Sequence, residues 1–449
     1  MTTERVEEKV RETLHAVDLD RVRAPGDLVE QVVRRRGRRR FSQAAGAAMA
    51  VAAISVGAVL GFGGGTGTEQ DRPARPAASP QGWKPWQKDA TGAGERGCLV
   101  DGSALYCGGS KYDAAKFDAN TGERLWTVKV NREGDGIDHP FAVRDGVVYA
   151  YRNHTAKNLP DGDYAGGTDL MAVDADDGDV LWKQRMPQDD RTDQAAMPID
   201  GAMLANTPSL RTMSALDPLT GDEKWHYTWD KGIACQRTVL SGVPHLLCAR
   251  DTEKPGDTEV IRLDPATGNA KKVTTIPGRQ QLMGTSGDRM VLTGETAAAD
   301  KGRRLTTVDG SGKQTSHPYR PEGKVANADV VGNHLITVNW QGKASAYSLT
   351  TGKTLWTGPV GVKMPGRDTM EGIASPVVST GQGVVYFFSP NGDLSGLDLR
   401  TGEQVWRSHV ELGRPGPGPR RTPQLQLHQD VLVVRLGSEI ATMLPQLDD

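Results

Sequence analysis

Residues 117–126 read Phe-Asp-Ala-Asn-Thr-Gly-Glu-Arg-Leu-Trp, and this line recurs along the chain with the same order of residue types. Later copies begin at Val173, Leu216, Leu263, Val308, Tyr347 and Leu397. The aligned glycines, from Gly122 to Gly402, are on average about 47 residues apart. A period of about 40–50 residues with strand signals is typical of a β-propeller or a repeat array. The repeat therefore predicts an all-β fold.

Each residue type in the repeated line has a role in a tight hairpin. The Asp side chain can accept hydrogen bonds from backbone amides further along the turn, and Gly supplies the positive φ that the turn requires. The Trp lies on the returning strand, where we expect it to pack between neighbouring blades. The fourth and fifth copies have Lys272 and Ser316 at that place. Because the position recurs, a structural role explains the tryptophans better than ligand stacking does.

A second hairpin signal precedes the repeated line, as at 141–149, 331–338 and 377–386. Every repeat thus supplies four short strands, which form one propeller blade. The C-terminal stretch 424–444 supplies three further strands, and residues 82–87 can supply the fourth, with Trp86 at the wedge position. Such a shared blade closes the ring and removes the open edge. We expect eight blades, with seven as the alternative.

The composition excludes several classes of protein. The 449 residues have a formal net charge of −2, which argues against nucleic-acid binding through bulk electrostatics. The chain contains 54 Gly and 26 Pro, a turn-rich composition that disfavours long helical bundles. Its length is too great for one ordinary core, so either several domains or one repeat architecture is required.

The N-terminal part differs from the rest. Six arginines lie within 34–40, and no charged residue occurs in 41–68. Residues 44–62 are apolar apart from one Ser and are long enough to cross a bilayer. The arginines predict a single-pass anchor of a cell membrane, with a cytoplasmic N-terminus and an extracytoplasmic C-terminal domain. The alternatives are a cleaved twin-arginine export signal, since Arg39 and Arg40 precede Phe41, and a buried helix.

This pattern divides the chain into four segments. Residues 1–40 form a cytoplasmic N-terminal segment, in which 3–17 has the spacing of an amphipathic helix. It is interpreted as a docking segment or as a solvated tail that supplies only topology charges. Residues 41–62 form the transmembrane anchor, 63–82 a flexible linker rich in Gly, Thr, Pro and Ala, and 83–449 the propeller.

The four cysteines form two pairs that flank predicted turns. Cys98 and Cys107 flank Asp101-Gly102, and Cys235 and Cys248 flank Ser241-Gly242. In each hairpin the two cysteines fall opposite each other on adjacent strands. Two disulfides and an oxidising compartment are therefore predicted, and four free buried thiols are the alternative.

The repeated Asp-Ala-x-Thr-Gly-x-x-Leu-Trp line resembles the repeat of PQQ-type (quinoprotein) β-propellers, over about residues 83–444. That family contains eight-bladed dehydrogenases that hold PQQ and calcium, and it also contains non-catalytic members. The dehydrogenases carry two adjacent cysteines over the cofactor, and this sequence has no Cys-Cys dipeptide. The resemblance therefore implies the fold, transfers no cofactor ligand and leads us to expect no cofactor.

Other signals for chemistry are weak. The stretch 174–179 resembles a calcium loop, but its Gly is one position early and no Glu follows where the loop needs one. No His-x-x-x-His and no Gly-x-Ser-x-Gly occurs. We predict no catalytic and no metal-binding residue. The favoured function is a non-catalytic binding or scaffold module for a protein or cell-envelope ligand. The alternative is a quinoprotein dehydrogenase with PQQ and calcium in the propeller centre.

Long connections are predicted to gather on one face of the ring. They are 131–139, 153–168, 251–257, 296–303, 358–372 and 411–422, and they join strand two to strand three or one blade to the next. Because insertions gather where binding tolerates or needs them, we expect this face to bind the partner, although loops that accumulated there without a role are the alternative. Within it the loop 153–168 is the best candidate, since it presents His154, Lys157, Asp161, Asp163 and Tyr164.

Overall fold

The computed structural model describes residues 79–129, 140–154, 167–187, 196–250, 256–295, 303–365, 372–412 and 423–447. Within these ranges the chain forms 32 strands and no helix. The strands pair into eight antiparallel sheets of four strands each, which are the blades of a propeller. The eight-bladed prediction is confirmed.

The first four blades follow the chain from residue 97 onward. Blade 1 contains β2 (Gly97–Asp101), β3 (Ala104–Gly108), β4 (Tyr112–Asp118) and β5 (Arg124–Lys129). Blade 2 contains β6 (Pro140–Arg144), β7 (Val147–His154), β8 (Gly167–Asp174) and β9 (Val180–Arg185). Blade 3 contains β10 (Ala196–Ile199), β11 (Ala202–Ala205), β12 (Thr212–Leu216) and β13 (Glu223–Thr228). Blade 4 contains β14 (Ile233–Leu240), β15 (Val243–Arg250), β16 (Thr258–Leu263) and β17 (Ala270–Ile276).

The other four blades complete the ring. Blade 5 contains β18 (Gln280–Ser286), β19 (Arg289–Glu295), β20 (Arg303–Asp309) and β21 (Gln314–Tyr319). Blade 6 contains β22 (Val325–Val331), β23 (His334–Asn339), β24 (Lys343–Ser348) and β25 (Thr354–Pro359). Blade 7 contains β26 (Val377–Ser379), β27 (Val384–Phe388), β28 (Asp393–Asp398) and β29 (Gln404–His409). Blade 8 contains β30 (Gln424–His428), β31 (Val431–Leu436), β32 (Glu439–Met443) and β1 (Gln87–Asp89).

Blade 8 unites the two ends of the propeller domain, as the sequence predicts. Strand β1 pairs antiparallel with β32, with Gln87 opposite Ala441. The backbone of Trp86 adds two hydrogen bonds to Thr442: its N–H donates to the side-chain hydroxyl, and its carbonyl accepts from the Thr442 N–H. The fourth strand thus begins at Gln87, directly after Trp86, at the end of the predicted stretch 82–87. This pairing covers an edge that would otherwise be open.

The repeated tryptophans fill the seams between blades, as predicted. Trp126 of blade 1 lies against Gly178 of blade 2, and a β-carbon on that glycine would come within 2.9 Å of the indole. Gly178 also has a φ of 82°, so both its backbone and its surroundings require glycine. The indole N–H donates to the Ala175 carbonyl at 3.1 Å. The same contact recurs for Trp86, Trp182, Trp225 and Trp356.

Two seams lack tryptophan, and there the equivalent residues differ from the predicted ones. The side chain against Gly312 belongs to Val273, one residue after Lys272. At the next seam His317 lies against Gly352, one residue after Ser316. A register shift in the pairing of β16 with β17 leaves Val273 between the paired residues Lys272 and Thr274. The residue that faces the neighbouring blade therefore lies one position further from the turn glycine than the repeat predicts.

Both predicted disulfides are present. Cys98 and Cys107 are paired across β2 and β3, and Cys235 and Cys248 across β14 and β15. Each bond links the innermost strand of a blade to the second strand. The part of the chain that the structure describes contains no apolar helix of membrane-spanning length. The predicted anchor 41–62 lies outside those residues, as does all of 1–78.

Candidate functional site

The two faces of the propeller differ in the length of their connections. One face, here called the tight-turn face, carries the turns from the first to the second strand and from the third to the fourth strand of each blade. None of these turns exceeds six residues. The opposite face, here called the long-connection face, carries the remaining connections, which extend up to 360–376 and 410–423.

Blade 2 has long connections at every position on the long-connection face. Residues 130–139 lead into it from β5, 155–166 join β7 to β8, and 186–195 lead from β9 into blade 3. Blade 3, in contrast, contributes two shorter connections to this face: 206–211 joins β11 to β12, and 229–232 leads into blade 4. The predicted loop 153–168 is therefore the middle one of three neighbouring long connections.

The strand that carries this loop is fixed to blade 3 through Tyr151. The hydroxyl oxygen of Tyr151 accepts a hydrogen bond from the Ala196 N–H, the first residue of β10, at 2.9 Å. The Tyr151 ring also stacks on Phe141 of the neighbouring strand, with ring centroids 4.5 Å apart. Tyr151 is only 6% exposed. The end of β7 thus has a defined position relative to the next blade.

The adjacent residue fixes the same strand to blade 1. Arg152 forms an ion pair with Asp113 of β4, with 3.2 Å between guanidinium nitrogen and carboxylate oxygen. The two side chains are 8% and 0% exposed, so the pair is almost completely removed from water. Removing one partner of such a pair would leave an uncompensated buried charge, which is strongly destabilising. Because successive side chains of a strand point to opposite sides, Tyr151 and Arg152 hold β7 from both neighbours.

Sequence reasoning missed both anchors. A signal was present in β7, where Arg152 shares its side of the strand with the fully buried Val148 and Ala150. A charged residue in an otherwise apolar alternation indicates a buried partner. The partner, Asp113, is about forty residues earlier and could only be found in the folded chain.

Of the five candidate binding residues, only His154 lies within the described part of the chain. His154 is the last residue of β7, and its backbone pairs with Gly167. Lys157, Asp161, Asp163 and Tyr164 lie outside the described residues. The structure therefore places the base of the candidate loop and not its tip.

The described residues do not fit PQQ with calcium. They contain no group of three or more His, Cys, Asp or Glu side chains that could hold a metal ion. All four cysteines are in cross-strand disulfides, so none is available beside a quinone. In the loop 174–179 the Asp174 and Asp177 carboxylates accept backbone N–H groups of their own turn. That loop is the tight hairpin turn that the repeat predicts.

A cleft of 440 Å³ opens on the tight-turn face, at the seam between blades 8 and 1. It is lined by Pro80 and Gln81 and by three turns, through residues 100–103, 120 and 427–429. The His428 ring in its wall is buried, and its Nε2 lies 3.2 Å from the Asn120 side-chain oxygen. Burial lowers the pKa of His428, although the nearby Asp118 carboxylate opposes this shift.

Amide side chains join the inner strands at this seam. Gln424 accepts from the Cys98 N–H at 2.8 Å, and Gln426 accepts from the Val100 N–H at 2.7 Å and donates to the Cys98 carbonyl. Arg435 donates to the Gln424 side chain and to the Glu95 carbonyl. Burial lowers the pKa of Arg435 to about 10, with a partly compensating effect of the Glu95 charge. The seam that closes the ring thus combines these hydrogen bonds with an apolar cluster in which Trp86 packs.

Comparison with known proteins agrees with this architecture. In a solved structure of BamB from Moraxella catarrhalis, the similar region covers 81% of this chain and 100% of that one, with 14% identity and a TM-score of 0.52. For the computationally designed Ika8 protein the shares are 79% and 98%, with 14% identity and a TM-score of 0.51. At this level of identity the likeness shows the fold alone. No curated protein sequence matches the chain.

The sequence model of one protein family matches the chain twice, over residues 110–291 and 256–416. The two matches together extend over more than half of the chain and cover most of the described blades. The description of this family is "outer membrane protein assembly factor BamB". Its matched region contains the repeated line from which the PQQ-like resemblance was inferred. The chain belongs to this family of PQQ-like β-propellers.

Proposed function

We propose that this chain is a membrane-anchored, extracytoplasmic propeller that binds a protein or a cell-envelope ligand on its long-connection face and catalyses no reaction. The observation that carries the proposal is the fixed base of the loop at blade 2. Binding residues are commonly presented on loops that a rigid scaffold positions. The double attachment of β7, through Tyr151 and Arg152, provides such a scaffold directly beneath the candidate loop.

Family membership supports a binding role. The description of the family names an assembly factor for outer membrane proteins, and this supports a protein as the ligand. Fold does not determine function, so the proposal depends on the site as well as on the family. The described residues lack a metal-ligand cluster and fit PQQ poorly, and for this reason a quinoprotein activity is not proposed.

The membrane part of the proposal depends on the sequence. Residues 44–62 are long enough to span a bilayer, and the arginines of 34–40 favour retention of the N-terminus in the cytoplasm. The two disulfides agree with export, because such bonds persist in oxidising compartments. A reporter fused after Asp449 should be active only outside the cytoplasm. Activity in the cytoplasm would contradict this topology.

Partner capture tests the binding face. A photo-crosslinking amino acid at Tyr164 should capture a neighbour in intact membranes. When the crosslinking amino acid is instead placed elsewhere on the long-connection face, replacement of 155–166 by two glycines should abolish capture. The matched control is the same type of connection in blade 4, between β15 and β16, where residues 251–257 are shortened instead. Capture that survives the first change and fails when the Thr-Gly turns are altered would assign binding to the tight-turn face.

A further inference from the structure

The cleft between blades 8 and 1 is lined by uncharged polar side chains that are not used elsewhere in the described chain. They belong to Gln81, Ser103 and Gln429, and none of these three side chains forms a hydrogen bond with another described residue. We propose that this cleft binds a sugar unit that carries no charge. The cleft is on the tight-turn face, and this site is therefore separate from the partner-binding face proposed above.

The cleft exists because the turn between the first two strands of blade 1 has no long side chain. In blade 3 the equivalent turn carries Asp200, which forms an ion pair with Arg144 of blade 2. In blade 8 it carries Asp430, which accepts a hydrogen bond from the Ser379 hydroxyl of blade 7 at 2.7 Å. Residues 102–103 of blade 1 are a glycine and a serine. The space that an aspartate fills at two other seams is therefore open here.

The cleft presents no charged side chain to a ligand. Among the described residues that line it, none is Lys or Arg. Val100 packs in the apolar cluster of this seam, so the next side chain along the strand, that of Asp101, points toward blade 2. In agreement, burial and after it the charge of Asp101 raise the pKa of Tyr106, which packs between blades 1 and 2. The Asp118 carboxylate accepts two N–H groups of its own turn. An ionic ligand would therefore find no counter-charge in the cleft.

The His428 ring holds the amide of Asn120 in one orientation. An amide oxygen can only accept, so the contact of 3.2 Å requires that Nε2 of His428 carries a proton and donates it to this oxygen. With its oxygen engaged, Asn120 presents its NH₂ group as a donor. This group has no hydrogen-bond partner among the residues that the structure describes.

These groups match the hydroxyl groups of a sugar. The two glutamine amides and the serine hydroxyl in the cleft can each donate and accept, and Asn120 adds a donor. A sugar hydroxyl also donates and accepts, so it can pair with any of them. Val100 and Pro80 supply an apolar wall for the C–H face of a sugar ring. The volume of 440 Å³ is within the range of roughly 300–1,000 Å³ that is usual for small-molecule sites.

An extended peptide fits this cleft less well. Extended peptides bind by adding a strand to an exposed sheet edge. The inner edge of β2, beside the cleft, is already occupied by side chains of blade 8: Gln426 accepts from the Val100 N–H, and Gln424 accepts from the Cys98 N–H. The polar groups that remain available are therefore side-chain amides and a hydroxyl, which suit a sugar.

Saturation-transfer NMR on the full-length chain in detergent tests the class of ligand. The probes are glucose, N-acetylglucosamine and an uncharged tetrasaccharide of each, with glucuronate and glucosamine as charged comparisons. We expect a saturable signal from at least one uncharged sugar and a weaker one from its charged counterpart. Tighter binding of the tetrasaccharide would indicate a glycan chain as the source, and equal binding a free sugar. No signal from any uncharged sugar, or tighter binding of glucuronate, would overturn the proposal.

Gln429→Gly shows whether the sugar occupies this cleft. Gln429 has a φ of 55°, which glycine adopts without strain, so the change removes the amide and does not endanger the fold. It should weaken binding by roughly two- to tenfold, the effect of one or two hydrogen bonds. Ser241→Gly is the matched control, since Ser241 has a φ of 48° at the equivalent position of blade 4, and it should leave binding unchanged. Equal affinities of the three proteins would overturn the proposal.

Ser103→Asp should close the cleft. It gives blade 1 the carboxylate that blade 8 has at Asp430, in the equivalent turn position, and should abolish the signal from the sugar. Urea denaturation shows whether this variant remains folded, and if it does not, Gln429→Gly decides. Binding of an acetylated and amidated tetra-alanine, with no binding of any sugar, would assign the cleft to a peptide and overturn the proposal.

Discussion

The seam between blades 1 and 2 and the seam between blades 4 and 5 join equivalent strands by different means. At the first, the Trp126 indole fills the space against Gly178 and donates to the Ala175 carbonyl. At the second, Val273 takes the place of the indole against Gly312.

Amide side chains complete the second seam. Gln236 of β14 donates to the Gln280 carbonyl and accepts from the Leu282 N–H, both at 2.8 Å. At the rim Gln314 donates to the Thr274 hydroxyl at 2.7 Å. The comparison shows that the turn glycine is kept and that Val273 and the Gln236 hydrogen bonds accompany an apolar cluster where the first seam has an indole, so one repeat geometry accommodates two kinds of seam.

The largest expected effect is the loss of a seam tryptophan. Trp182 is 8% exposed and packs against Gly221 of blade 3. Trp182→Ala should lower the free energy of unfolding by about 3–5 kcal/mol, since it removes a large buried ring and leaves a cavity. Urea denaturation measures this. Val273→Ala at the Trp-less seam should lower it by only about 1 kcal/mol; equal losses would show that the two seams do not differ.

Loss of a disulfide should have the next largest effect. Removing Cys98–Cys107 or Cys235–Cys248 by paired Cys→Ala changes should each cost about 2–3 kcal/mol, because the closed loops are short. The first bond packs in the apolar cluster of the seam between blades 8 and 1, which includes Trp86, and the second in that of the seam between blades 3 and 4, which includes Trp225. Denaturation of both variants therefore compares two seams that contain tryptophan, and neither variant disturbs the Trp-less seam directly. Peptide mapping of the unreduced protein provides the control. Any other connectivity would contradict the strand register.

The hydrogen-bonded seam is tested at Gln236. Gln236→Met keeps the side-chain length and removes both hydrogen bonds, which leaves the Leu282 N–H and the Gln280 carbonyl without this partner. A loss of about 1–3 kcal/mol is expected in chemical denaturation. Gln281→Met is the matched control, since Gln281 is exposed on the same seam, and it should have little effect. If both variants lose a similar free energy of unfolding, the Gln236 amide has no specific role in the seam.

The smallest effect concerns pH and blade 4. His245 is 2% exposed, and burial lowers its pKa, although its hydrogen bond to the Val243 carbonyl opposes the shift. In the unfolded chain His245 therefore binds a proton near pH 6.5, whereas in the folded chain it does so only at lower pH. Stability that is present above pH 6.5 is lost as the pH falls below this value. Urea denaturation from pH 7.5 to 5 should show a smaller decline for His245→Gln than for the unchanged protein. An equal decline would exclude His245 as its source.

The candidate site shows how far sequence reasoning extends. The position of the loop 153–168 follows from the repeat, because the loop interrupts a regular succession of strands and turns. Its attachment does not follow, since Tyr151 and Arg152 bind residues of two different blades that are distant in sequence. The shift from Lys272 to Val273 was missed for a related reason: a bulge in one strand pair changes which residue faces the neighbouring blade.

The sequence by itself determined the repeat, the number of blades, the shared closing blade and both disulfides. Each of these depends on local spacing, because turn glycines and alternating strands define the register of a hairpin. Only the tertiary structure decided how the seams without tryptophan are joined, where the cleft lies and which residues hold the base of the candidate loop. These features arise where side chains from different repeats meet, and their partners are far apart in sequence, 326 residues for Gln424 and Cys98 and 340 for Arg435 and Glu95.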